Sequence, residues 1–361
     1  MRFIVLAEQA FGPLTSKTAN AFIRYTPEKV LAVIDSTKAG RTAEDVLGFG
    51  GAIPVLATLD EALATRPDAL LIGIAPPGGQ LPAPWRTLLS RAIEAGLELW
   101  SGLHFFIADD PELGPLAARK GVRIHDLRKP PADLDVARGR VRDVDTTNTV
   151  ILTVGTDCNI GKMTTQLQLR DAAVKAGLSV SFAATGQTGI LVEGWGIAVD
   201  AVVADFIAGA AERLTLEGAR KGEIVLVEGQ GSIIHPSYSG VTYGLLHGSL
   251  PHAMIMCAQP SRTTINHNPW VKIPPLRELI ALHEQVAAPL RPAPVIAVAL
   301  NTYDLDDAAA RDAVKRTEDE TGLPATDPVR FDSTPLVDAI ARFHASRRAP
   351  ARTAPRAAQH A

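Results

Sequence analysis

The sequence predicts an α/β protein of two doubly wound, parallel-sheet domains, and three observations carry that prediction. Short apolar runs alternate with segments of helical spacing through both halves of the chain. A polar, charge-rich stretch from Lys129 to Asn148 separates the halves. Directly after it, an apolar run leads into a glycine-bearing loop that opens a helix. The first domain is expected over residues 1–145, the second over 146–345, and a disordered tail over 346–361. A chain of 361 residues exceeds the usual size of one hydrophobic core, which agrees with two domains.

In the first half, Phe3 to Leu6, Val30 to Ile34, Ala69 to Ile74 and Leu97 to Trp100 read as strands buried on both faces. Between them, Leu59 to Ala64 and Trp85 to Ala95 carry helical spacing, and Gly96 stops the second of these. Strands alternating with helices imply right-handed βαβ units, so this half is expected to be Rossmann-like. It lacks G-x-G-x-x-G after its first strand, where Ala10-Phe11-Gly12-Pro13 stands instead, so a nicotinamide dinucleotide site is not expected. The second half restarts with Thr149 to Val154 as a buried strand, followed by the glycine loop and a helix to about Ala176. Further strands are expected at Val180 to Ala183, Ile224 to Val227, Ala253 to Met256 and Val295 to Leu300. Helices are expected at Phe206 to Lys221, Leu276 to Ala287 and Asp307 to Thr321, which makes this half P-loop NTPase-like. From Ser346 on, nothing apolar is larger than alanine, too little to offset the entropy of ordering the chain.

Composition excludes several classes. Hydrophobic residues make up 46% and charged residues 21%, and 36 basic against 39 acidic side chains give a net charge of −3. That near balance provides no global field for nucleic acid or an anionic membrane, and neither partner is expected. No run approaches the roughly 20 apolar residues that span a bilayer. No basic segment with an apolar stretch and cleavage site precedes the first strand, so a cytoplasmic location is expected. The two cysteines, Cys158 and Cys257, cannot make a disulfide framework.

The loop Gly155-Thr156-Asp157-Cys158-Asn159-Ile160-Gly161-Lys162-Met163-Thr164-Thr165 has the strand-before, helix-after setting that a P-loop requires. Glycines let the backbone turn its N–H groups toward phosphate oxygens, and the helix start adds its positive end. Lys162 supplies a point charge for a terminal phosphate. Gly155, Thr156, Asp157, Cys158, Asn159, Gly161, Lys162, Met163 and Thr164 are therefore the expected cofactor-binding residues. Two departures matter. Five residues rather than four separate the glycines, a longer form that looks like that of dethiobiotin synthetase and its amide-ligase relatives. Met163 also stands where Ser or Thr would hold Mg²⁺, and a thioether is a poor ligand for that hard cation. Thr164 lies about 100° further round the helix. Met163, Leu167 and Val174 share a helical stripe, which places Met163 in the core. Phosphate binding without Mg²⁺ is the expectation. Cys158, near a helix N-terminus, is a candidate for a lowered thiol pKa, but a catalytic thiol also needs a neighbouring histidine or lysine.

In doubly wound sheets ligands collect beyond the carboxyl ends of strands, and three such ends here are rich in polar groups. Glu228-Gly229-Gln230-Gly231-Ser232 with His235 follows one. Gln259, Arg262 and Asn266-His267-Asn268 follow another, and Asn301-Thr302 the third. Gln187-Thr188-Gly189, Asp200 and Asp205 lie after the strand that ends near Ala183. No H-E-x-x-H, H-x-E or paired-cysteine spacing is present, so no metal site is expected, and no G-x-S-x-G elbow marks a serine hydrolase.

Together these residues resemble a family long catalogued as a domain of unknown function, whose studied members include the DgcN-type D-glutamate N-acetyltransferases. The carriers are Val33-Ile34-Asp35 with Gly40-Arg41, Ile72-Gly73-Ile74-Ala75-Pro76 with Gly78-Gly79, and Ser101-Gly102-Leu103-His104. The P-loop and Glu228 to Ser232 complete the set, and the resemblance runs to about Phe343. It implies transfer of an acetyl group from acetyl-CoA to the amine of a D-amino acid, with the CoA phosphates in the loop. On that reading His235 or His267 is the expected base, with Glu228 or Asp205 orienting it or replacing it. Arg262 matches a substrate carboxylate with its planar fork, and Gln187 and Ser232 are further substrate-binding candidates. The substrate is a small-molecule amino acid and a homo-oligomer is expected. The rival readings are a Mg-ATP-dependent ligase or kinase like dethiobiotin synthetase, and a nucleotide-binding regulator without chemistry.

Overall fold

Two six-stranded sheets, every strand parallel to its neighbours, organise the chain. The computed structural model describes residues 1–74, 81–144 and 148–348. Pro76 and Gly78-Gly79 of the expected loop lie outside the described residues, as does the tail from 349 on.

The first sheet has β1 (Phe3–Leu6), β2 (Val30–Ile34), β3 (Val55–Leu56), β4 (Ala69–Ile72), β5 (Glu98–Ser101) and β6 (Ile124–Asp126). Their order is β3-β2-β1-β4-β5-β6, that of a doubly wound dinucleotide-type sheet. β1 shows why its residues read as one apolar run. Ile4 and Leu6 enter a core with Leu70, Ile72, Leu89 and Ile93, while Phe3 and Val5 enter another with Phe11, Phe22 and Ile23. Helices α1 (Lys17–Tyr25), α2 (Ala43–Leu47), α3 (Leu59–Leu63), α4 (Ala83–Glu94) and α5 (Leu113–Lys120) complete these layers.

The second sheet contains β7 (Thr149–Gly155), β8 (Val180–Ala183), β9 (Ile224–Val227), β10 (Ala253–Ala258), β13 (Val295–Leu300) and β14 (Ala325–Thr326), in the order β14-β13-β10-β7-β9-β8. α6 (Lys162–Lys175) follows β7, α8 (Ala204–Lys221) precedes β9, and α9 (Ser239–Ser249) precedes β10. A two-stranded antiparallel hairpin, β11 (Thr264–Ile265) and β12 (Asn268–Lys272), precedes α10 (Leu276–Ala287). α11 (Asp307–Thr321) and α12 (Thr334–Arg348) close the unit, so Ser346 to Arg348 finish a helix. No helix among the described residues is long and apolar enough to cross a membrane.

The compact units are Met1–Asp135 with Ala184–Val203, and Val136–Ala183 with the chain from Ala204 on. The excursion after β8 therefore belongs with the first sheet. Its helix α7 (Gln187–Glu193) puts Leu191 into the core with Phe11 and Phe22. Thr188 Oγ1 lies 3.2 Å from Thr18 Oγ1, and Asp200 pairs with the buried Arg128. The polar stretch read as a boundary is partly docked. The buried Glu212 of α8 accepts the backbone N–H groups of Arg138 and Arg140, and Val141 is fully buried.

The stripe on α6 needs one correction. Met163 and Leu167 are buried, but Val174 is 56% exposed. Met163 and Val174 lie only about 20° apart round the helix, but Val174 falls in the last turn, where Ala173 is the buried residue.

His283 on α10 is buried, and its Nδ1 donates to the Leu279 carbonyl at 2.8 Å while Nε2 has no partner. Burial pushes its pKa down to about 4, against the Leu279 hydrogen bond and with help from the charge of Lys162. A depressed value means that the fold binds this proton less well than the unfolded chain. The contribution is full above the unfolded value near 6.5 and is lost as pH falls from there through about 4. Between pH 7.5 and 4, His283→Leu is expected to lose roughly 3 kcal/mol less stability than the wild type. Urea midpoints at the two pH values check this, and parallel curves would refute it.

Candidate functional site

Every residue of β7 is buried, flanked by β10 and β9, so the loop after it starts from a fixed strand end. Thr156 N–H donates to the Cys257 carbonyl at 3.0 Å, and Ser232 Oγ donates to the Thr156 carbonyl at 3.2 Å. Asn159 (φ 53°) and Gly161 (φ 105°) sit in the left-handed region, which turns the loop back on itself. Gly161 caps α6 without a side-chain hydrogen bond, and the positive end of the helix faces the loop. Lys162 is buried and its Nζ donates to the Asp157 carbonyl at 2.6 Å.

Asp157 is the hub of the loop. Its fully buried carboxylate accepts Cys158 N–H at 2.6 Å on Oδ1, and Arg262 Nη1 at 2.9 Å and Asn266 N–H at 2.8 Å on Oδ2. Arg262 Nη1 also donates to the Cys158 carbonyl at 2.9 Å. A residue expected to face a substrate carboxylate thus braces the loop from 105 positions away. His235 is buried with Nε2 at 3.9 Å from Asp157 Oδ1, and its Nδ1 accepts the Ser237 N–H at 3.1 Å. Burial lowers its pKa, against the pull of Asp157 and with the push of Lys162. The ring is therefore neutral, and because Nδ1 is an acceptor the proton sits on Nε2.

That tautomer bears on two questions. Asp157, Cys158 and His235 bring one potential ligand atom each within 4.8 Å of one another. A metal-bound imidazole, however, offers a lone pair to the ion and donates its other N–H outward. His235 has the opposite arrangement and Asp157 Oδ2 is already taken by two donors, so binding a metal here would require the imidazole to change tautomer and give up the Ser237 N–H. In this geometry the Nδ1 lone pair accepts the Ser237 N–H, so acting as a base would require His235 to release that hydrogen bond.

Glu228 is buried at the end of β9 and accepts Gln230 Nε2 at 3.3 Å. Ser232 is buried against the loop. His267 is exposed, at φ 60° in the turn of the β11–β12 hairpin beside Asn266. Asp205 is exposed in the first turn of α8. Gln187 opens α7 in the first unit, packed on Gly102. Thr164 is half-buried one residue beyond the buried Met163. Cys257 is inert: burial pushes its thiol up to about 11. Asn266 was missed as a loop partner, because a backbone N–H donating across 109 residues leaves no mark on composition or spacing.

The residues fit a phosphate group. Thr156 Oγ1 is buried in the loop with no hydrogen-bond partner, a costly state that a phosphate oxygen relieves. A Cβ at Gly155 would meet Ile160 Cδ1 at 2.6 Å and the Cys257 carbonyl oxygen at 3.2 Å, so a side chain there would crowd the start of the loop.

Residues 135–337 match the domain of unknown function DUF1611_C, described as a P-loop domain, and residues 36–130 match DUF1611_N, described as a Rossmann-like domain. The chain is 41% identical over 290 residues to the D-glutamate N-acetyltransferase of Tritonibacter scottomollicae, covering 79% of this chain and 84% of the relative. It is 36% identical over 271 residues to a D-glutamate N-acetyltransferase of a Pseudoalteromonas species, covering 75% and 80%. The crystal structure of a DUF1611 family protein from Anabaena variabilis superposes with a TM-score of 0.89 at 41% identity, over 94% of this chain and 99% of that one. With both domain models matched and close relatives along most of its length, the chain belongs to the DUF1611 family.

Proposed function

We propose that the protein is an acetyl-CoA-dependent N-acetyltransferase that acetylates the amine of D-glutamate in D-amino-acid catabolism. The observation that carries this reading is the likeness, over three quarters or more of the chain, to two enzymes named D-glutamate N-acetyltransferase. The loop supports it. Lys162, the Thr156 hydroxyl and the first N–H groups of α6 would hold the CoA phosphates. Met163 is buried in the position where an Mg²⁺-dependent loop places a hydroxyl, which suits phosphate binding without phosphoryl transfer.

Bound acetyl-CoA supplies the acetyl group as a thioester. The amino acid arrives as an ammonium ion and must lose a proton before its nitrogen attacks. His235, buried beside Asp157, would take that proton once its Nδ1 is released from the Ser237 N–H, and Glu228, Asp205 and His267 are the alternative bases.

With acetyl-CoA and D-glutamate, the protein is expected to release thiol and form N-acetyl-D-glutamate, unaffected by EDTA. In calorimetry Lys162→Ala is expected to weaken acetyl-CoA binding at least about tenfold, because a charge-assisted contact is lost. ADP release from Mg-ATP, with activity abolished by EDTA, would move the assignment to a ligase or kinase. Unchanged affinity of the variant for both acetyl-CoA and ATP would remove the P-loop from the mechanism.

A further inference from the structure

Beside the P-loop lies an open cavity of about 530 Å³, within the usual range for small-molecule sites. Gln259, Ser261, Arg262, Asn266, Pro269 and Asp304 are among its lining residues. Arg262 and Asn266 both bond Asp157, so the cavity and the loop share a wall. Gln259 follows β10 and Asp304 follows β13, neighbouring strands whose carboxyl ends are where a doubly wound sheet places ligands. We propose that this cavity holds the nucleoside end of the cofactor, with Asp304 and Gln259 accepting hydrogen bonds from the amino group of an adenine.

Three observations favour that occupant. Asp304 is already an acceptor for Ser261 Oγ at 2.5 Å and Gln259 Nε2 at 3.2 Å. Burial raises its pKa, but these hydrogen bonds and the charge of Arg262 outweigh burial and hold the carboxyl below its ordinary range. An ionised carboxylate repels phosphate and attracts N–H donors, so the phosphates stay in the loop and a donor-bearing group belongs here. Second, the Gln259 side chain is buried and its Oε1 has no partner, a buried acceptor that an exocyclic amine would satisfy once the amide turns toward the ligand. Third, reach separates this cavity from the acetyl end. The pantetheine arm between the pyrophosphate and the thioester is about as long as four extended residues, roughly 13 Å. A cavity that shares a wall with the phosphate cradle is in reach of the nucleoside, which is bonded directly to the pyrophosphate, and too near for the thioester at the end of an extended arm. The amine of the acceptor, which must meet the thioester, belongs at the far end of that arm.

The inference rests on the acetyl-CoA reading only for which cofactor is bound, since ATP carries the same adenine. It is tested by calorimetry on the full chain, with CoA, 4′-phosphopantetheine and 1,N6-etheno-CoA, whose base has lost its amino group. Asp304 is exposed, so Asp304→Ala is compatible with the fold. The variant is expected to bind CoA about tenfold more weakly and 4′-phosphopantetheine, which has a phosphate and the arm but no nucleoside, as the wild type does. The wild type is expected to bind etheno-CoA about tenfold more weakly than CoA. Equal affinity for CoA and etheno-CoA overturns the proposal, as does a variant that weakens both CoA and 4′-phosphopantetheine alike. A variant that loses only D-glutamate binding makes the cavity the acceptor's site and also overturns it. If the wild type binds ATP and not CoA, the acetyl-CoA reading fails, and the same comparison between ATP and tripolyphosphate decides the cavity.

Discussion

Asp157→Ala is expected to lower the thermal midpoint by roughly ten degrees and to weaken acetyl-CoA binding more than tenfold. The carboxylate is fully buried and takes hydrogen bonds from two backbone N–H groups and from Arg262. Alanine leaves those donors without an acceptor and the guanidinium, 18% exposed, without its counter-charge. Removing one partner of a buried pair costs about 3–5 kcal/mol, and each kcal/mol moves the midpoint of a domain this size by about 2–4 °C. The binding loss follows because the same carboxylate fixes the loop that presents Lys162. Asp157→Asn keeps one acceptor oxygen and the shape, so it should fall between wild type and alanine in both measurements. Differential scanning calorimetry and titration with acetyl-CoA are the measurements. A midpoint within two degrees or so of wild type, with unchanged affinity, would show that Asp157 is not the hub of the loop.

What the sequence makes legible here depends on how local the cause is. Phe3 to Leu6 and Thr149 to Val154 are readable as central strands because burial on both faces forces an unbroken apolar run. The P-loop is readable because phosphate binding needs its glycines and lysine within one turn of chain. α11 ends at Gly322 in the left-handed conformation, and its start is capped by Asp306, both signals carried by neighbouring residues. The losses are long-range. The allegiance of α7 to the first unit depends on Leu191 finding Phe11 and Phe22, and a seven-residue helix carries too little pattern to say so. Arg262 has the residue type of a carboxylate clamp, and it does clamp one, but the carboxylate belongs to Asp157. His235 has the residue type of a base, and its hydrogen bond from the Ser237 N–H two residues on is a local contact that no spacing rule predicts. Helical periodicity places Val174 on the face of Met163 but cannot show that Ala173 takes the inward position in the last turn of α6.

The largest effect on the fold is expected from Gly229→Ala, which should cost upwards of about 3 kcal/mol and leave the second unit largely unfolded at moderate denaturant. Gly229 leaves β9 directly against β7, and its N–H donates to Thr153 Oγ1 at 2.9 Å. A Cβ there would collide with the Thr153 carbonyl oxygen and lie 2.8 Å from its carbon and 3.1 Å from Oγ1. The collision is with backbone, so no rotamer relieves it. Nor can that backbone retreat, because β7 is paired on both sides, with β10 and with β9. Thr153 stands two residues before Gly155, so any shift of the strand that accommodates the methyl also moves the phosphate loop. Gly177→Ala is the control. Unlike Gly229, Gly177 has a positive φ, 79°, and a Cβ there meets nothing within 4 Å. Its cost is only the backbone strain, on the order of 1 kcal/mol. Urea denaturation followed by circular dichroism compares the two. If Gly229→Ala proves no less stable than Gly177→Ala, the close passage of β9 over β7 is wrong.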